Sequence, residues 1–354
     1  MTPLETELRR IIAIDGPIPV DRYMLGCMGH PQLGYYPTRD PFGKRGDFIT
    51  APEISQMFGE LIGAWAAAVW QKMGSPARFN LIELGPGRGT LMADALRAAK
   101  SLPAFLEAAS IHLVETSPVL RAKQEQALAG TSARWHEAVE AILPGPTIAI
   151  ANEFVDALPV RQFVKDRDGW HMRMVGVVDD KLSFVVMPDP MPGFYGDDYE
   201  APVGAILEWR YDRPVSILAQ IVARFGGAAL LIDYGHTKTG FGDTLQAMKN
   251  HRYVDPLESP GDADLTTQVN FEELVRWAER QGAAAHGPLT QGEFLRRLGI
   301  EARAARLKQA ATPQQAADID SALARLTAGD QMGDLFKVLA IADPKLGVPP
   351  GFDS

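Results

Sequence analysis

Residues 79–89 read Phe-Asn-Leu-Ile-Glu-Leu-Gly-Pro-Gly-Arg-Gly, a short apolar run that stops at three glycines spaced two apart. The run has strand length, and the apolar spacing after Thr90 is helical, so the glycines form a strand-to-helix turn. Three missing Cβ atoms let the backbone approach a ligand closely. In an open α/β sheet such a ligand lies beyond the carboxyl ends of the strands, at the switch in strand order. The spacing separates ligand classes. A dinucleotide site requires G-x-G-x-x-G, with a diphosphate on the helix N-terminus. This turn is E-x-G-x-G-x-G, and Glu83 at its head suits a cation. The pattern predicts the sulfonium nucleoside S-adenosylmethionine as cofactor, held at Glu83, Gly85, Gly87 and Gly89.

The remaining apolar runs place this turn in a sheet. Strands are expected near 111–115, 133–136, 147–151 and 228–233, with later ones near 284–286 and 336–342. Helical patterns alternate with them, which argues for a parallel sheet covered on both faces. The expectation is an α/β, Rossmann-like sheet of seven strands, the class I methyltransferase arrangement. It occupies 76–354, preceded by an N-terminal helical lid region over 1–75. A β-rich segment is inserted at 162–213, with Asp179-Asp180-Lys181 as a hairpin turn. Additional helices are expected within 291–328, and the chain after Asp233 reads as loop to about 266. The helix predicted from about 54 to 72 is apolar almost all round, so it is buried.

Strand ends supply the candidate side chains. Glu115 ends the second strand, where a carboxylate accepts both ribose hydroxyls of a nucleoside. Trp135 and His136 end the third, where adenine lies. Either ring offers a stacking face, and a Trp that merely closes the core is an equal reading. Asn152, Glu153 and Asp156 follow the fourth strand, facing the transferring methyl group. Asn152 counts toward the cofactor as well. In other class I enzymes a polar-Pro-Pro-aromatic loop stands there, and Glu-Phe in place of its second and third positions adds negative charge. That favours a cationic acceptor, since carboxylates hold a guanidinium by bidentate hydrogen bonds. For Glu153 a helix-starting role, and for Asp156 a cap or turn role, remain open.

Composition narrows the partners. The formal net charge is -9, which disfavours nucleic acid. Cys27 is the lone cysteine, and no His pair has ligand spacing, so neither a disulfide framework nor a metal site is expected. No run is long and apolar enough to insert in a membrane. The first ten residues are amphipathic and charged, unlike a signal or transit peptide, and read as a cytosolic, bacterial-type start. A homodimer is compatible with the pattern.

Five segments occur together in order: 46–55 (Gly-Asp-Phe-Ile-Thr-Ala-Pro-Glu-Ile-Ser), 83–89, 152–154 (Asn-Glu-Phe), 232–235 (Ile-Asp-Tyr-Gly) and 261–266 (Gly-Asp-Ala-Asp-Leu-Thr). In this combination the chain resembles the MidA-like family of methyltransferases over nearly its whole length. The resemblance implies a protein arginine N-methyltransferase acting on a respiratory complex I subunit. It also directs attention to Asp47, Thr50, Glu53 and Ser55 as lid contacts, and to Asp233, Asp262 and Asp264 as acids near the acceptor. Capping of the following helix by the 47–55 residues, and a solvated turn at 262–264, are the plainer readings. Two other functions remain: an assembly chaperone on a methyltransferase fold, and a small-molecule methyltransferase.

Overall fold

The computed structural model describes residues 1–41, 50–193 and 200–353. Its central sheet contains β1 (Phe79–Leu84), β2 (Ala109–Val114), β3 (Arg134–His136), β4 (Thr147–Asn152), β5 (Gly227–His236), β6 (Val269–Asn270), β7 (Ala284–Thr290) and β8 (Phe336–Ala342). The order across the sheet is β7-β8-β5-β4-β1-β2-β3, with β6 pairing the end of β5. Strands β3, β2, β1, β4 and β5 run parallel, and β8 lies antiparallel between β5 and β7. The sheet therefore has eight strands where the apolar runs indicated seven. The extra one has two residues, too few to leave a periodic signal.

Alternate residues of these strands serve two cores. Leu81, Leu113, Ile150 and Leu230 face one layer, which includes α3 (Gln56–Lys72), α4 (Thr90–Ala98), α8 (Gln291–Arg297), α9 (Ile300–Lys308) and α10 (Pro313–Thr327). Ile82, Leu84, Ala149 and Leu231 face α6 (Arg213–Phe225) and α7 (Phe271–Arg280). Burial on both faces explains why the strands read as continuous apolar runs.

Register aligns the strand ends that matter. Leu84 is level with Val114 on one side and Ala151 on the other, and Asn152 is level with Ile232. Residues just past these positions share one edge of the sheet.

A second, five-stranded sheet is built from Val160–Asp166, Gly169–Val178, Lys181–Val186, Ile206–Arg210 and the short Ile18–Pro19. Asp179 and Asp180 both have positive φ, as a two-residue hairpin of this hand requires. Helices α1 (Pro3–Asp15) and α2 (Val20–Gly29) pack on this sheet through Leu8, Val20, Met24, Val175 and Leu182. The N-terminal helices are thus fixed to the insertion.

Two expectations change. The segment after Asp233 is not all loop, because Gln246–Lys249, Arg252–Val254 and Asp264–Thr266 form a small antiparallel sheet. Asn250 and His251, both at positive φ, make its tight turn. The helix expected from 54 is broken: one turn spans Ala51–Ile54, Ser55 is extended, and α3 starts at Gln56. Among the described residues, no helix is long and apolar enough to cross a membrane.

Candidate cofactor cleft and acceptor hollow

The glycine turn leaves the end of β1 with φ of +60°, +54° and +81° at Gly85, Gly87 and Gly89, a region side chains rarely adopt. Neighbours demand glycine as well. A Cβ on Gly85 would lie 2.8 Å from Phe154 Cδ2, and one on Gly89 would lie 3.3 Å from Gln124 Cα. The turn separates two recesses.

The larger is a cleft of about 310 Å³, floored by Gly85, Gly87 and Glu115 and walled by Phe154. Met28 from α2 and Tyr36 beyond it close one side. Neither contact is marked by a motif in the sequence. Glu115 accepts the Ser117 backbone N–H at 2.7 Å and the Gln124 side-chain amide at 3.0 Å. Burial raises its carboxyl above the usual range despite those bonds.

Trp135 and His136 are not in the cleft lining, where Glu137, Ala138 and Val139 stand instead. Trp135 packs against the core and donates its indole N–H to Gln124 at 2.9 Å. His136 sits 2.9 Å from a His112 ring nitrogen. The core-closing reading of Trp135 matches this placement, because side chains alternate faces along a strand.

The smaller recess, about 30 Å³, lies on the other side of the turn and is lined by Thr50, Glu53, Glu83, Arg88, Asn152 and Glu153, among others. Glu83 is buried, with the Met92 backbone as a hydrogen-bond partner, and burial pushes its carboxyl up to about 8. Its Oε2 and the buried Oδ1 of Asn152 have no hydrogen-bond partner among the described residues. Buried polar atoms left unpaired cost about 1–3 kcal/mol each, so both suit a polar group brought by a ligand. Glu153 has φ +50° and accepts hydrogen bonds from the Ala51 backbone at 3.0 Å and the Asn152 side-chain amide at 3.2 Å. Burial raises its carboxyl to about 7. It does not start a helix.

Glu53 accepts the Thr90 hydroxyl at 2.5 Å and lies 3.6 Å from Arg88. Arg88 also forks onto Asp40 at 3.0–3.1 Å. Thr50 caps the Ala51–Ile54 turn through its backbone, and the Ser55 hydroxyl accepts from Met57 N–H to cap α3. Ser55 thus performs the plainer role. Asp47 lies outside the described residues.

Asp233 and Asp156 stand behind the recess. Asp233 is fully buried and accepts three backbone N–H groups, from Val155, Asp156 and Tyr234. Through these bonds it fixes the loop after β4. Asp156, raised to about 6 by burial, lies near Arg210 and Tyr234. Arg210 is the buried hub that the sequence did not reveal. Its guanidinium donates to the carbonyls of Val155, Asp156 and Leu158 and to Thr267 and Gln268. Asp264 is buried beside Tyr36, which bonds to it. Asp262 pairs with Arg39 and Lys249 at the surface, which is the solvated-turn reading. The tightest potential metal-ligand group among the described residues is Asp166, Asp168 and His171, at the far turn of the inserted hairpin.

A strand-ending glycine turn, an acid on the next strand and a cleft between them define a nucleoside-dependent transferase of the class I methyltransferase fold. The chain belongs to the S-adenosyl-L-methionine-dependent methyltransferase family whose model matches residues 61–289. A solved structure from Burkholderia thailandensis bound to S-adenosyl-homocysteine superimposes with a TM-score of 0.84 at 29% identity, covering 99% of this chain and 92% of that one. The Drosophila melanogaster protein named protein arginine methyltransferase NDUFAF7 homolog, mitochondrial, is 39% identical, covering 96% of this chain and 84% of its own. The human protein arginine methyltransferase NDUFAF7, mitochondrial, is 38% identical, over 86% and 75% respectively. The chain is therefore an S-adenosylmethionine-dependent methyltransferase. The unpaired Glu83 and Asn152 oxygens fit the cofactor's cationic amino acid end. The cytosolic expectation is overturned: these close relatives are mitochondrial by name, and an amphipathic start does not define a compartment.

Proposed function

We propose that the chain methylates a guanidine nitrogen of arginine in a protein, with a respiratory complex I subunit as acceptor. The observation that carries this reading is that Glu53 and Glu153 add two further acids to the small recess beside the turn, next to the Glu83 and Asn152 oxygens that fit the cofactor's amino acid end. Among the described residues the one cation lining it, Arg88, already forks onto Asp40. The recess is thus acidic and under-satisfied, a fit for a donor-rich cation. The relatives' names support the same acceptor class.

Bound S-adenosylmethionine supplies an activated methyl group, so the chain's work is alignment and proton handling. Alignment of two reactants is worth up to about 7–11 kcal/mol. Under this reading Asn152 and Glu83 hold the cofactor's amino acid end through their free oxygens, and Glu153 faces the acceptor guanidinium. Glu153, which titrates at about 7, takes up the proton that a guanidinium nitrogen loses around transfer. An acid with an ordinary carboxyl value would be a poorer base there.

The test is transfer of label from radioactive S-adenosylmethionine into extract of cells lacking this protein, followed by acid hydrolysis of the labelled chains. Label in N-methylarginine from a complex I subunit supports the proposal. Label that passes a size filter as a small product, or that resides in other residues, refutes it. Absence of any transfer with cofactor bound favours the assembly-chaperone reading instead.

A further inference from the structure

Gln124 belongs to α5 (Pro118–Ala127), and it is fully buried although helix glutamines are ordinarily exposed. Its side chain makes three bonds. The amide nitrogen donates to the Gly87 carbonyl at 2.7 Å and to Glu115 Oε2 at 3.0 Å, and its oxygen accepts the Trp135 indole N–H at 2.9 Å. Both amide hydrogens are therefore used. The orientation is also unambiguous. An indole N–H is a donor only, and the other two partners are acceptors, so a flipped amide would lose all three bonds.

The consequence falls on Glu115. One carboxylate oxygen takes the Ser117 N–H and the other takes the Gln124 amide. The Thr116 backbone also bonds to this carboxylate, and the remaining lone-pair capacity is left for a donor such as a ribose hydroxyl. The same amide grips the glycine turn at Gly87. Gly89 lets α5 come close enough for this, since a Cβ there would press on Gln124 at 3.3–3.4 Å. Acid and turn, which belong to different strands, are thereby held in one relation before any ligand arrives, and a preformed site binds more tightly.

We propose that Gln124 is a positioning residue for the nucleoside, acting through Glu115, with Trp135 setting the orientation of its amide. The inference rests on Glu115 as the ribose-binding acid. It assigns Trp135 a function that stacking on adenine does not describe.

The test is calorimetric titration of S-adenosylhomocysteine into the wild-type chain, Gln124→Met, Trp135→Phe, Glu115→Gln and the two double variants with Glu115→Gln. Gln124→Met is expected to weaken binding about 10- to 100-fold, as for one lost bond to a charged group. Trp135→Phe keeps the packed ring, removes only the N–H, and weakens binding in the same direction by a smaller factor. Neither change is expected to weaken binding by more than about threefold once Glu115 is glutamine, because residues in one network couple. Losses that add fully to that of Glu115→Gln overturn the proposal and leave Gln124 as helix glue. Should Gln124→Met not fold, Trp135→Phe decides the matter, and unchanged affinity there overturns the proposal. Wild-type affinity in Glu115→Gln would refute the ribose reading itself, a different failure.

Discussion

Arg210→Met removes the hub of the loop behind the acceptor hollow. The substitution nearly conserves the apolar stem and deletes the guanidinium of a residue that is 8% exposed. It strips a donor from the Val155, Asp156 and Leu158 carbonyls on one side and from Thr267 and Gln268 on the other. It also leaves the buried Asp156 and Asp233 without their nearby cation. Breaking a buried charge cluster by removing one partner costs about 3–5 kcal/mol. Unfolding entropy of roughly 2.1 cal/mol/K per residue gives about 0.74 kcal/mol/K for 354 residues. The expected fall in Tm is therefore about 4–7 °C by scanning calorimetry. Ala157 and Leu158 line the cleft, so affinity for S-adenosylhomocysteine should fall as well. Arg210→Lys keeps the charge without the fork and should land between wild type and Met. A Tm within about 1 °C of wild type, equivalent to less than about 0.7 kcal/mol, refutes the reasoning.

Gly85→Ala should destabilise more than Gly130→Ala, because both have positive φ but only Gly85 faces Phe154. Overpacking there costs about 1–3 kcal/mol beyond backbone strain, and equal Tm losses would show the contact to be harmless. Stability should also depend on pH in a definite direction. Burial holds the carboxyls of Glu83, Glu153 and Asp156 at about 8, 7 and 6, all above ordinary carboxylates. The folded chain thus binds protons that the unfolded chain has released, and its stability falls as pH rises through those values. Tm of the ligand-free chain should decline from about pH 6 to about pH 8.5, and a flat or rising profile contradicts the burial of these acids.

What the sequence revealed followed from local pattern. Glycines spaced two apart, an acid ending the next strand and Asp179-Asp180 at a hairpin are short-range signals, and each found its structural context. What it concealed depends on distant parts of the chain. Gln124 looks like any polar residue on a helix until the glycine turn and Trp135 are brought against it. Arg210 ends an alternating strand, where arginine ordinarily points to water, and its carbonyl partners lie more than fifty residues away. Strand position alone leaves adenine stacking and core closure equal for Trp135, because the side of the strand decides what it touches. Ser55 interrupts an apolar helical pattern because its hydroxyl caps the next helix, a competition that periodicity does not register.

The most direct test is a crystal structure of the chain with S-adenosylhomocysteine. The ribose hydroxyls are expected about 2.5–3.0 Å from the Glu115 carboxylate, with the amino acid end toward Glu83 and Asn152. Binding instead in the separate cavity of about 260 Å³ lined by Arg210, Lys238 and Trp277 would contradict it.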